Sequence, residues 1–259
     1  MRPLILITND DGYAAKGLQT LSKVAQEFGD VLVVAPEGNS SGMGLSITTK
    51  RPVRVWQISE AEGLSVYSCD GTPVDCAKLG IEQVAPRRPD IVLSGINHGS
   101  NSSINVMYSG TMGAVLEATA MGFNAIGFSL LNHSPEADFS VCEPYVRRVV
   151  ERVMEKGLPE LVALNVNIPR LPADEIKGIR ICHEAKAQWL DCFQKRIDPR
   201  GIPYYWLTGK FSCPEPPEGS DEWALANGYV SVVPTSCDFT HYDSIDKLTD
   251  IELCECLNA

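Results

Sequence analysis

The chain begins with an apolar run, Leu4-Ile5-Leu6-Ile7-Thr8, that stops on Asn9-Asp10-Asp11-Gly12. An unbroken apolar run of this length, closed by turn-forming residues, predicts a strand buried on both faces. The period then changes. Leu18, Leu21, Val24 and Ala25 fall at helical spacing, which predicts a helix over residues 18–28. Residues 31–35 read as a second buried strand, ended by Pro36 and a loop of small residues through Gly44. Further strands are expected over 53–59 and 65–67, a helix over 75–83, and a short buried strand over 91–93. A long polar loop then leads to a helix over 111–121 and a strand over 125–129. Strands and helices alternating in this way predict an α/β fold with a mostly parallel sheet and helices on both of its faces.

The second half is less regular. Residues 143–156 have the spacing of an amphipathic helix, and 161–168 read as a strand closed by Pro169. From Pro172 onward proline, tyrosine and tryptophan become frequent. Residues 178–183 and 203–208 are expected to pair as the arms of a long β-hairpin, with the proline-rich stretch 211–220 as an exposed loop. A late strand is expected over 229–233 and a final helix over 245–257. Exposed aromatics on so long a hairpin make it a candidate for contact with another subunit. No internal repeat is visible.

Composition narrows the class. A chain of 259 residues, 44% hydrophobic and 21% charged, can bury a sizeable core as one large domain or a core with an appendage. No apolar run approaches the roughly 20 residues that span a bilayer, so no membrane partner is expected. The first strand starts almost at once, which leaves no room for a signal peptide and points to the cytoplasm. The nine cysteines are odd in number, and Cys254 and Cys256 are too close for zinc-type spacing, so free and mostly buried thiols are expected. A net charge of −11 argues against a groove for a nucleic-acid polymer. It leaves room for a small phosphorylated substrate, since a metal ion and a helix N-terminus supply local positive potential.

Four segments of small polar residues fall where strands should end: Asn9 to Gly12, Asn39 to Gly42, Ser94 to Asn101, and Tyr108 to Thr111. In a parallel sheet those ends share one rim, where open α/β folds hold their ligands. Asp10 and Asp11 repel one another unless a cation or a shared proton intervenes, and hard ions such as Mg²⁺ or Mn²⁺ take such oxygen ligands. A helix cap and turn would need only one of the two. Ser41 and Asn97 can be read as turn residues or as further oxygen ligands. Ser109-Gly110-Thr111 directly precedes a helix, so it is either an ordinary N-cap or a phosphate grip built from hydroxyls and free N–H groups. His98 lies beside this polar ground, whereas His133, His183 and His241 have no evident partner. No Walker-type loop is present.

These residues resemble the stationary-phase survival protein SurE family, a group of metal-dependent 5′-nucleotidases. The likeness is carried by Thr8-Asn9-Asp10-Asp11-Gly12, by Ala35-Pro36 with Ser41, and by Gly71-Thr72-Pro73 with Asp75-Cys76. It continues through Ser94-Gly95-Ile96-Asn97 with Gly99 and Asn101, then Ser109-Gly110-Thr111, Asp198-Pro199-Arg200-Gly201 with Tyr205-Trp206, and Gly228-Tyr229-Val230-Ser231. The resemblance implies a three-layer Rossmann-like core with a C-terminal β-hairpin and helix extension used in oligomerisation. Residues 1–135 would form the catalytic core, and 136–259 the remainder of its sheet, the hairpin and a swapped C-terminal segment, within one domain overall. It implies one divalent ion per subunit, Mg²⁺ or Mn²⁺, held by Asp10, Asp11, Ser41 and Asn97. The substrate phosphate would be bound by Ser109, Gly110 and Thr111, with Asn101 nearby. The implied assembly is a homodimer or homotetramer with exchanged C-terminal segments. The implied substrates are nucleoside monophosphates, with polyphosphate in some members. Many members carry a basic side chain where this chain has Ser40, which bears on phosphate or base contacts.

The expected reaction is therefore metal-assisted hydrolysis of a phosphomonoester, principally nucleoside 5′-monophosphates and by extension 3′-monophosphates. Asp10 is expected to act directly and Asp11 chiefly as a ligand; attack by water and attack by Asp10 itself both fit the sequence. The rival reading is a Mg²⁺-binding phosphoryl-receiver module, whose acceptor strand Pro89-Asp90-Ile91-Val92-Leu93 resembles, although here that strand leads into Ser94 and Gly95.

Overall fold

A computed structural model describes residues 2–249. Along them run β1 (Leu4–Thr8), α1 (Lys16–Ala25), β2 (Asp30–Pro36), β3 (Val55–Ala61), β4 (Leu64–Cys69), α2 (Pro73–Leu79), β5 (Ile91–His98), α3 (Gly110–Ala120) and β6 (Ala125–Leu130). There follow α4 (Glu143–Lys156), β7 (Val162–Ile168), β8 (Ile179–Ile181), β9 (Gln188–Ile197), β10 (Pro203–Ser212), α5 (Asp221–Ala226), β11 (Val230–Ser236) and α6 (Ile245–Thr249). Among the described residues nine strands form one sheet in the order β3-β4-β2-β1-β5-β6-β7-β11-β8. The strands from β4 to β7 in that order are parallel, whereas β3 and β11 run antiparallel to β4 and β7. β9 and β10 pair only with each other, as a separate antiparallel ribbon.

Alternation along β1 explains the layering. Ile5 and Ile7 pack with Leu18, Leu21 and Val24 of α1 and with Val146, Val150 and Val153 of α4. Leu4 and Leu6 point the other way, into a second cluster with Cys76 of α2 and Met112 and Val115 of α3. Each fully buried aliphatic of this kind contributes about 1.5–3 kcal/mol, and a strand covered on both faces carries an apolar residue at nearly every position. The mostly parallel sheet with helices on both faces is thus as expected.

β1 is also where the chain reverses direction across the sheet. The connection through α1 leads to β2 on one side, while β5 on the other side leads through α3 to β6. The crevice outside the carboxyl ends of β1 and β5 is therefore a topological switch point. β5 runs longer than its apolar stretch, because Ser94 to His98 stay in the sheet through a register shift against β6. Gly95 permits this: its φ is +123°, and a Cβ there would lie 2.3 Å from the Phe128 carbonyl oxygen.

The hairpin expectation needs correction. The arm that pairs with β10 is β9, not residues 178–183, and β8 instead lies parallel to β11 at the edge of the main sheet. The Asp198 carboxylate closes the true turn by accepting the N–H groups of Arg200 and Ile202, both at 2.8 Å. α5 was not expected from the sequence. The helix read over 75–83 is α2 followed by a π-helical turn, Gly80–Val84. α6 begins where the final helix was expected; residues 250–257, with Cys254 and Cys256, lie outside the described residues. Among the described residues Cys69, Cys76, Cys142 and Cys182 are free and buried, and no helix is long and apolar enough to cross a membrane.

Candidate active site

The turn after β1 is built by its own sequence. Asn9 Nδ2 donates to the Gly12 carbonyl at 3.0 Å and its Oδ1 accepts the Gly12 N–H at 3.2 Å, which turns the two intervening carboxylates out at the strand end. Asp10 is only 3% exposed. Its Oδ1 accepts the Thr111 hydroxyl at 2.6 Å. Asp11 Oδ2 accepts the backbone N–H of His98, at the end of β5, at 3.2 Å. Burial pushes the Asp10 carboxyl above the usual carboxylate range; the Thr111 hydroxyl opposes that shift and the Asp11 charge adds to it. Burial likewise raises Asp11, against the His98 N–H. Among the described residues the ion pairs lie elsewhere, and none neutralises either acid.

A cavity of about 500 Å³ opens at this rim, and Asp10, Ser41, Asn97, Asn101 and Ser109 all line it. The four polar loops singled out in the sequence thus meet. The Ser41 loop is fastened at both ends. Ser40 N–H donates to the Asp10 carbonyl at 2.7 Å and Gly44 N–H to the Tyr108 carbonyl at 3.2 Å. Further on, Thr72 donates to the Ser46 carbonyl at 2.7 Å, and Asp75, in a capping box with Thr72, accepts the Thr48 N–H at 3.1 Å. Gly71-Thr72-Pro73-Asp75 therefore secures the loop that carries Ser41.

Asn97 Nδ2 donates to the Gly99 carbonyl at 3.1 Å, which leaves Oδ1 as its acceptor atom. Two carboxylates, an amide oxygen and a hydroxyl make an all-oxygen set suited to a hard divalent ion. No group of three or more His, Cys, Asp or Glu that could hold a metal occurs among the described residues, so a cation here would need the hydroxyl and amide oxygens as well. The residues fit such an ion.

The phosphate candidates divide in their placement. Ser109 caps α3, accepting the Met112 N–H at 3.0 Å while lining the cavity, so the cap and the site coincide. Gly110 lies against Asp10, and the Thr111 hydroxyl is engaged by Asp10; neither lines the cavity. Asn101 is anchored on all sides. Its N–H donates to Asn167 Oδ1 at 2.8 Å, its carbonyl accepts Asn165 Nδ2 at 2.7 Å, and its Nδ2 donates to Ser129 at 2.8 Å. Two buried asparagines in the otherwise apolar β7 have this anchoring as their use.

α5 braces the same loop from outside. Asp221 accepts the N–H groups of Ser103 at 2.7 Å and Ala185 at 2.9 Å, and the Ser102 hydroxyl donates to Glu222. Burial raises the Glu222 carboxyl, opposed by Ser102 and assisted by Asp221. A carboxyl raised in the folded state contributes stability below its unfolded pKa and loses it as pH climbs through the folded value. Glu222→Gln should therefore melt roughly 2 °C above wild type at pH 7 and together with it near pH 4, read by thermal denaturation across that range. A constant difference at every pH would contradict the assignment.

Several cavity residues escaped the sequence reading: Asn105, His133, Trp189, Leu207 and Gly209. His133 follows the end of β6, a fifth strand end on the same rim, which the strand-end rule would have flagged. The others come from a 3₁₀ turn, Ser103–Tyr108, and from the hairpin, and carry no local signal. The receiver-type alternative lacks its chemistry, because β5 presents Asn97 and His98 at its end rather than an acceptor carboxylate.

A family profile described as Survival protein SurE matches residues 5–191. The 5′-nucleotidase SurE of Flavobacterium psychrophilum is 49% identical over 97% of this chain and 98% of its own length. That of Phocaeicola vulgatus is 49% identical with the same coverage, 97% and 98%. The crystal structure of SurE protein from Aquifex aeolicus matches with a TM-score of 0.84 at 37% identity, covering 96% of this chain and 100% of that one.

Proposed function

Since the chain belongs to the SurE survival-protein family, we propose that it is a divalent-metal-dependent phosphomonoesterase that hydrolyses nucleoside 5′-monophosphates to nucleoside and phosphate. The observation that carries this reading is the buried, unneutralised Asp10 beside Asp11 at the β1–β5 crevice, in a cavity shared with Ser41, Asn97, Asn101 and Ser109. Asp10, Asp11, Ser41 and Asn97 would hold the ion. When bound, Mg²⁺ or Mn²⁺ polarises a phosphoryl oxygen and offsets the charge that develops in the transition state.

The protein's own groups do the rest. Ser109, which caps the 11-residue α3 at the cavity wall, receives the remaining phosphoryl oxygens near the positive end of that helix. Asn101, held rigid by Asn165, Asn167 and Ser129, completes that grip. Thr111 fixes the rotamer of Asp10, and Asp10 is the carboxylate with a direct part in the attack. In the balanced reaction water adds to phosphorus, the P–O5′ bond breaks, and the ribose oxygen leaves with a proton. 3′-Monophosphates and short polyphosphates present a similar terminal phosphoryl group and fall within the proposed range.

The proposed assembly is a homodimer or homotetramer with exchanged C-terminal segments. Phe193, Tyr205 and Trp206 support it, being 65%, 56% and 61% exposed on the hairpin, an area that a second subunit would cover. A cytoplasmic location agrees with the free thiols among the described residues.

The test is phosphate release from a panel of 5′- and 3′-monophosphates and polyphosphate, after exhaustive chelation and then re-addition of Mg²⁺ or Mn²⁺. Release should vanish on chelation and return with metal. Turnover that survives complete chelation would refute the metal-dependent reading.

A further inference from the structure

The cavity holds more than a phosphate requires. Its volume of about 500 Å³ is that of a small-molecule site, and beyond the polar end its lining includes Tyr108, Trp189, Leu207 and Asn105. Trp189 is held in place while 39% exposed. Its indole N–H donates to Asn105 Oδ1 at 2.8 Å, and its ring meets Phe211 edge-on, with centroids 5.7 Å apart and planes at 67°. An indole nitrogen can only donate, so it fixes the Asn105 amide with its oxygen toward the tryptophan. The Asn105 Nδ2 protons, without a partner among the described residues, remain as donors at the cavity. A phosphate has no use for an indole face, and a ribose gains less from it than a flat π-system does. A nucleobase is such a system.

We propose that Trp189 and Asn105 form the nucleobase seat of this cavity: the base stacks on the indole, and the Asn105 amide donates to a ring nitrogen or carbonyl of the base. The proposal rests on the phosphatase reading above and adds its substrate recognition. Every base offers a π-face, so stacking favours nucleotides as a class, while a single donor sorts one base from another only weakly. The seat therefore selects nucleoside monophosphates over sugar phosphates that lack a base. Because β9 and β10 supply Trp189 and Leu207, it also couples recognition to the hairpin.

The experiment compares kcat/KM for a nucleoside 5′-monophosphate with that for ribose 5-phosphate, using full-length enzyme and added Mn²⁺. Trp189→Ala should lower the nucleotide-to-sugar ratio by roughly 5- to 150-fold, mainly through KM, as loss of one stacked base implies. Trp189→Phe, which keeps a ring, should hold the ratio within about threefold of wild type. An unchanged ratio in Trp189→Ala, or equal losses on both substrates, would overturn the seat. So would an equally large fall in Trp189→Phe. Wild-type enzyme inactive on every phosphomonoester would instead overturn the phosphatase reading, and the seat with it.

Discussion

Asp11→Asn and Asp10→Asn proteins fold normally and release phosphate at least about 100- to 1000-fold more slowly than wild type, the scale of losing one charge-stabilising group from a preorganised site. The fold survives because the local hydrogen bonds do. An asparagine oxygen still accepts the Thr111 hydroxyl at position 10 or the His98 N–H at position 11. Removing one of two adjacent, partly buried negative charges also relieves repulsion, so without metal the variants should melt no lower than wild type. Metal separates the proteins. At an ion concentration 100 times Kd, wild type gains about 2.7 kcal/mol, which is roughly 5–10 °C in Tm for a chain of this size. The variants gain little, because an amide replaces a charged oxygen in the ligand set. Phosphate release and melting, each with and without Mn²⁺, check both halves. A wild-type rate in either variant would remove these carboxylates from the chemistry.

Legibility in the sequence follows how local each determinant is. β1 could be read because two-sided burial writes itself as Leu4 to Ile7, and the site began to show where that run met Asp10 and Asp11. The convergence of the four polar loops followed from the sheet being parallel, a rule of topology that needs no contact information. The hairpin was misassigned for the opposite reason. β8 is three residues long, all exposed, and exists because β11 offers it an edge, so its own sequence says little. The Asp198-Pro199-Arg200-Gly201 turn was visible in the chain and would have placed the arms symmetrically about it. α5 had its signal too: Ser220 caps it by accepting the Trp223 N–H at 3.3 Å, but a helix this short is masked by the preceding prolines. Trp189 meets Asn105 across 84 positions of chain. No periodicity carries that.

Gly110→Ala is the change that ties packing to rate, because the methyl it adds meets Asp10 directly. Alanine is the better helix former, and nothing in the φ of Gly110 forbids it, so backbone preference alone predicts stabilisation by about 0.5–1 kcal/mol. Space predicts otherwise. A Cβ at 110 would lie 2.8 Å from the Asp10 Cβ, 2.9 Å from the Pro73 Cγ and 3.0 Å from Asp10 Oδ2. Pro73 is fixed in the first turn of α2, and Asp10 is buried and tethered to Thr111. The carboxylate has to yield by several tenths of an ångström, carrying an expected ion ligand away from Asn97 and Ser41. Misplacement approaching 1 Å costs on the order of 100-fold in rate, whereas overpacking of this kind costs about 1–3 kcal/mol in stability. Gly110→Ala should therefore lose roughly 10- to 100-fold in kcat, require more Mn²⁺ for half-maximal rate, and still unfold cooperatively only a few degrees early. Thr111→Val is the control, since it frees the same carboxylate without adding a methyl at 110, and it should shift the metal requirement in the same direction. Full turnover at wild-type metal concentrations in Gly110→Ala would show that the rate does not depend on where Asp10 is held, and with that the direct role given to this carboxylate would fall.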